Sequence, residues 1–161
     1  MLVEISNWNT LKKLYPKLSF SSSDLEKILK KHFSEYNISS VGIIFTSKEY
    51  IQDLNMQYRG IDSVTDVLSF TLDTKPLVGE VYICPKYILE NSPVENFQEE
   101  ILRNIVHGIL HILGYDHVGE FIKENEKEEM FVKQENILHN ILYEINNGIG
   151  KSRKKIPSNK T

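Results

Sequence analysis

The sequence predicts an α+β fold, a small mixed β-sheet of about four strands covered by helices in a single domain. Three observations carry that expectation. Short runs rich in β-branched residues read as strands, other segments repeat their apolar residues at helical spacing, and 161 residues suit one hydrophobic core rather than two. No internal repeat is present.

In chain order, Leu2 to Ile5 reads as a first short strand. Beyond a linker, Ser23 with Glu26 three residues later forms a capping box for a helix whose buried face is Leu25, Ile28, Leu29 and Phe33. Val41 to Phe45 is a β-branched strand, and Tyr50, Ile51, Leu54 and Tyr58 then recur at helical spacing. Two further strands lie near Val67 to Phe70 and Glu80 to Cys84, separated by turn-forming Asp73 to Pro76 and ended by Pro85. A short helical stretch covers Lys86 to Asn91. Asn96, with Glu99 three residues on, caps the next helix, which Ile101, Leu102, Ile105, Val106, Ile109 and Leu113 bury against the sheet. Met130, Phe131, Gln134, Ile137, Leu138, Ile141, Leu142 and Ile145 mark a last long helix before Gly148.

Composition excludes several classes. The chain is 40% hydrophobic and 25% charged, an ordinary globular balance. Met1 to Ile5 lacks a basic stretch followed by a long apolar run, and no segment approaches the roughly 18 apolar residues of a membrane helix. Neither secretion nor membrane insertion is expected. The single cysteine, Cys84, sits in an apolar run and reads as a buried reduced thiol of a cytoplasmic protein. Residues 148–161 read as a basic tail, expected to be disordered, carrying Lys151, Arg153, Lys154, Lys155 and Lys160; taking these five cations from a formal net charge of −3 leaves −8 on residues 1–150. So acidic a body does not suit general nucleic-acid binding, and no DNA partner is expected. Contact with RNA falls to local patches and the tail, which reads equally as a solubilising end.

Most of the chemistry hangs on His107-Gly108-Ile109-Leu110-His111-Ile112-Leu113-Gly114-Tyr115-Asp116-His117. A helix turns about 100° and rises about 1.5 Å per residue, so His107 and His111 share one face, about 6 Å apart along the axis. A continuing helix would carry His117 about 9 Å further and about 120° around, too far to share an ion held at about 2.1 Å per nitrogen. Gly114, the residue type that ends helices in the left-handed conformation, is placed to turn the chain and bring His117 back. Three neutral imidazoles leave a fourth position open, the layout of a catalytic zinc rather than a closed structural site. The bland alternative is three ordinary histidines beside a core helix.

The same placement of His, His, Gly and His occurs in the metzincin peptidase pattern, where a glutamate general base follows the first histidine. Gly108 occupies that position here. Its substitution for glutamate keeps the metal frame and weakens the peptidase reading. Glycine also costs a helix about 1 kcal/mol relative to alanine, which predicts a close approach to its backbone.

A second constellation, residues 54–70, crowds Asn55, Arg59, Asp62, Thr65, Asp66 and Ser69 into one loop between a helix and a strand. Polar groups there either cap the backbone or line a cleft. Arg59 carries the functional reading, because a guanidinium fork near a metal can clamp a phosphodiester and stabilise its transition-state charge.

Both constellations together resemble the YbeY family of bacterial single-strand-directed endoribonucleases, also called rRNA maturation factors. The histidine motif of the family matches residues 107–117. Its other signature matches Asn55 through Arg59, Asp62 and Thr65-Asp66-Val67-Leu68-Ser69-Phe70. Gly79-Glu80-Val81-Tyr82-Ile83-Cys84 is similar to the family's Gly-Asp-Ile stretch, with glutamate for aspartate. The resemblance implies a single metal-dependent hydrolase-like domain over residues 1–147. It implies zinc-dependent cleavage of single-stranded RNA, acting on the small ribosomal subunit in 16S rRNA 3′ end maturation and in ribosome quality control. By position it makes His107, His111 and His117 the ligands of one zinc ion and Arg59 the basic residue linked to activity.

The residues leave the general base unidentified. Asp116 is expected to orient an imidazole, and Asp66 and Glu80 are weaker candidates for the base. Three imidazoles also suit nickel, copper or iron. Two rivals remain: a metallopeptidase, and a noncatalytic assembly factor braced by its metal and bound to the ribosome through Arg59, Lys12, Lys13, Lys30 and Lys31.

Overall fold

The computed structural model describes residues 1–115 and 124–148. Its elements in order are β1 (Leu2–Ser6), α1 (Trp8–Leu14), α2 (Ser22–His32), β2 (Ser40–Phe45), α3 (Lys48–Arg59), β3 (Val67–Thr74), β4 (Leu77–Ile83), α4 (Pro85–Glu90), α5 (Phe97–Leu110) and α6 (Glu124–Asn146). The strands form one sheet in the order β1-β2-β4-β3. β1, β2 and β4 run parallel and β3 lies antiparallel at the edge, so the sheet is mixed, as the sequence predicts.

Period-two alternation divides β3 and β4 between two faces. Val81 and Ile83 join Val3, Val41, Ile43 and Phe45 in the main core, which α2, α5 and the inner side of α6 cover. Leu68, Phe70 and Tyr82 point the other way and pack with Ile51 and Leu54 of α3. Helices α3 and α5 therefore lie on opposite faces of the sheet. No helix among the described residues is long and apolar enough to cross a membrane. The basic tail, from 149 onward, lies outside the described residues.

Several local expectations need correction. Residues 8–14, read as linker, form α1; with only Leu11 buried, seven residues are too few to display a helical repeat. Asn7, left-handed at φ 61°, starts α1 and donates through Nδ2 to the Phe45 carbonyl at 3.1 Å. The capping box stands two residues earlier than expected. Ser21 Oγ accepts from Asp24 N and Asp24 Oδ2 accepts from Ser21 N, both at 3.0 Å, while Ser23 lies inside the helix. The run Ser21-Ser22-Ser23 offers equivalent caps, and the reciprocal Ser21–Asp24 pair decides between them.

Asn96 makes no side-chain cap; a 3-10 turn over Val94–Asn96 leads into α5 instead. On α3, Tyr50 and Tyr58 are exposed, and the buried residues are Ile51 and Asn55. The predicted polar loop is divided among elements, with Asn55 inside α3 and Ser69 inside β3.

Candidate metal centre

Helix α5 is buried along Ile101, Leu102, Ile105, Val106, Ile109 and Leu110, so His107 and His111 fall on the adjoining half-buried stripe. Their side chains converge. The Nε2 atoms lie 2.6 Å apart, with ring centroids separated by 4.3 Å and planes at 71°. The Nδ1 of His107 faces Gln134 Oε1 on α6 at 2.7 Å.

This pair fits a metal. Two nitrogens on a tetrahedral ion at about 2.1 Å each stand about 3.4 Å apart, so an ion between these two would need the rings to open by about 1 Å. Among the described residues no third His, Cys, Asp or Glu joins them. His117, the expected third ligand, and Asp116 lie outside the described residues.

Both glycines of the motif have physical reasons. Gly114 adopts φ 100°, ψ 10°, the conformation that ends a helix, within a wide turn over His111–Tyr115. Gly108 sits where α5 meets the sheet: a Cβ there would lie 2.4 Å from Val81 Cγ1 and 2.9 Å from Ser69 Oγ. Ser69 Oγ also donates to the Gly108 carbonyl at 2.9 Å, binding β3 to α5 one residue from His107. The close approach predicted from the cost of this glycine is thus to β4 and β3. At Gly79, a Cβ would lie 2.5 Å from Ile112 Cδ1, so β4 also makes room for the turn after His111.

The second constellation behaves differently. Arg59 is the exposed last residue of α3, before left-handed Gly60, and forms no ion pair among the described residues. It stands on the face opposite α5, and the structure does not bring it into contact with the histidine pair. Asn55, 2% exposed, donates through Nδ2 to the Ser63 carbonyl at 3.0 Å, and Gln52 Nε2 donates to Asp62 Oδ1 at 2.9 Å. These residues brace the loop between α3 and β3. Thr65 Oγ1 donates to Asp66 Oδ1 at 3.3 Å.

Glu80 shares the α3 face with Tyr82, whose hydroxyl donates to it at 2.9 Å. Burial and that hydrogen bond push the Tyr82 hydroxyl up to about 12. Glu80 thus projects from the sheet on the side opposite α5. Burial likewise raises the Cys84 thiol, which keeps it protonated and structural, as expected of it.

A surface depression of about 1130 Å³ lies between α2 and α6 beside Lys31, Tyr36, Phe131 and Lys133, and neither His107 nor His111 lines it. The convergent ring nitrogens mark the candidate site.

Sequence reasoning passed over Gln134, reading it as part of a helical repeat. Among the described residues it is one of the few buried polar ones, 7% exposed, and the signal available was an amide inside the apolar stripe Gln134, Leu138, Ile141, Ile145.

Comparison with known proteins gives a consistent picture. The family described as Endoribonuclease YbeY matches residues 7–142. Endoribonuclease YbeY of Thermotoga maritima is 41% identical over 119 residues, covering 73% of this chain and 75% of the relative. That of Persephonella marina is 38% identical over 130 residues, covering 76% and 82%. The solution structure of TM1509 from Thermotoga maritima aligns at a TM-score of 0.58 and 32% identity, covering 94% of this chain and 100% of that one.

Proposed function

The chain belongs to the YbeY family, and from that premise we propose that it is an endoribonuclease, a hydrolase that cuts single-stranded RNA with the help of one zinc ion. Its proposed place is the cytoplasm, acting on the small ribosomal subunit in 16S rRNA 3′ end maturation and ribosome quality control. The observation that carries this reading is the convergence of His107 Nε2 and His111 Nε2 at 2.6 Å across the end of α5 in a chain from this family.

His107 and His111, with His117 by its spacing, would hold the ion, which when bound supplies Lewis acidity for phosphodiester hydrolysis. Arg59 holds the phosphate and offsets the charge that builds on it. Because α3 and α5 lie on opposite faces, RNA engaging both would have to turn around the sheet, and the edge strand β3 offers such a path. A flexible single strand can follow that edge far better than a stiff duplex, which accounts for the proposed strand preference.

The peptidase reading loses ground at Gly108. A glutamate there would drive its Cβ to 2.4 Å from a buried Val81 methyl. The assembly-factor reading loses some of its cations to internal partners: Lys30 pairs with Glu26 at 3.1 Å, Lys31 with Glu144 at 3.2 Å, and Lys12 donates to the Pro16 carbonyl at 2.9 Å.

Digestion of a single-stranded RNA and its duplex, with and without added zinc, tests the proposal. The single strand should be cut by the wild type and left intact by His111→Ala. Tight RNA binding with no cleavage, even after zinc is restored, would favour the noncatalytic reading.

A further inference from the structure

We propose that Gln134 is a positioning residue for this centre: its amide oxygen holds His107 in the tautomer that presents a bare Nε2 to the ion. The inference rests on the reading of His107 and His111 as ligands and adds a residue outside the histidine motif.

The argument starts from burial. An amide in an apolar stripe costs free energy unless both its ends are bonded, and here both are. Gln134 Nε2 donates to Glu135 Oε2 at 3.0 Å, and Gln134 Oε1 stands 2.7 Å from His107 Nδ1. Which end of the amide faces the histidine is decided by the partner at the other end.

That partner is anchored. Arg103 donates through Nε to Glu135 Oε2 at 2.9 Å and through Nη2 to Glu135 Oε1 at 3.0 Å. Arg103 is itself held by Glu99 and Glu100. Its guanidinium keeps the Glu135 carboxyl below its ordinary value. A charged carboxylate only accepts, so the NH2 end of Gln134 must face Glu135 and the carbonyl end must face His107. His107 Nδ1 then has to be the donor. Its Nε2 carries the lone pair, aimed at His111 Nε2 2.6 Å away. The relay Arg103–Glu135–Gln134–His107 leaves α5, crosses to α6 and returns one turn further along α5.

Partners of this kind fix ring orientation and raise ligand basicity, and their loss typically weakens metal binding 10- to 100-fold. The test uses full-length protein with ¹⁵N-labelled histidine. In metal-free wild type at mildly alkaline pH, the His107 ¹⁵N shifts should report a protonated Nδ1 and an unprotonated Nε2. Gln134→Met, similar in length but without either polar end, should mix the two tautomers and weaken zinc affinity about 10- to 100-fold in competition with a chelator. Gln134→Glu, which restores an acceptor, should recover the Nδ1-protonated form.

An Nε2-protonated His107 in the metal-free wild type would overturn the proposal, and that readout needs no variant to fold. Unchanged zinc affinity in a folded Gln134→Met protein would overturn it equally. A wild type that binds no zinc would sink the metal reading instead, and the tautomer would still decide what Gln134 does.

Discussion

The two faces of the sheet hold their polar residues in opposite ways. On the α5 face, His107 and His111 are fixed by neighbours from several elements: Gln134 of α6 at one ring nitrogen, and Ser69 and Val81 of the sheet against the intervening Gly108. On the α3 face, Arg59 ends its helix exposed, beside a loop braced by Asn55, Gln52 and Asp62. A site that holds an ion needs ring nitrogens fixed to within a fraction of an ångström. A group that meets a mobile phosphate can remain free to move until substrate arrives. Under the proposed function the contrast separates a metal face, where precision and stability would be coupled, from a substrate face, where they would not.

His111→Ala gives the largest expected effect. It removes one of two convergent nitrogens and should abolish both zinc retention, measured by elemental analysis, and RNA cleavage. Cleavage that survives would break the division of roles at once. Arg59→Ala should follow, with kcat/KM lowered on the order of 10²-fold, about 2.7 kcal/mol, while zinc content and Tm stay at wild-type values. Loss of zinc in that variant would erase the distinction between the faces.

Gly108→Ala sharpens the comparison through stability. Overpacking against Val81 costs about 1–3 kcal/mol, while alanine returns about 1 kcal/mol of helix propensity. Denaturant unfolding should therefore show a net loss of up to about 2 kcal/mol.

The smallest effect concerns acid. Glu135 has its folded value depressed below the ordinary 4.5, first by its hydrogen bond to Arg103. Its contribution is therefore fully present above the unfolded value and is lost as pH falls through the lower folded value. The pair is partly solvent-screened, so the contribution is on the order of 1 kcal/mol or less. Unfolding of Glu135→Gln should show a flatter dependence on pH across that acidic window than the wild type.

What the sequence made legible divides along the same line. The i, i+4 histidines and the left-handed Gly114 are local geometry, so spacing alone was enough to bring His107 and His111 together and end the helix. The cost of Gly108 announced a close approach, but its partners Val81 and Ser69 lie 27 and 39 residues away in sequence and only the sheet register identifies them. Gln134 was invisible as a partner of His107 for the same reason. Runs rich in β-branched residues revealed the strands, whereas α1 hid because a single buried leucine makes no pattern. The residues around Asn55 were legible as a polar cluster, but their division between loop bracing and an exposed Arg59 depended on which side chains α3 buries.

The account stands most directly on one measurement: cleavage of single-stranded RNA by metal-stripped protein, before and after zinc is returned. It predicts no cleavage from the stripped protein and full recovery at about one zinc per chain. Undiminished cleavage by the stripped protein would contradict it.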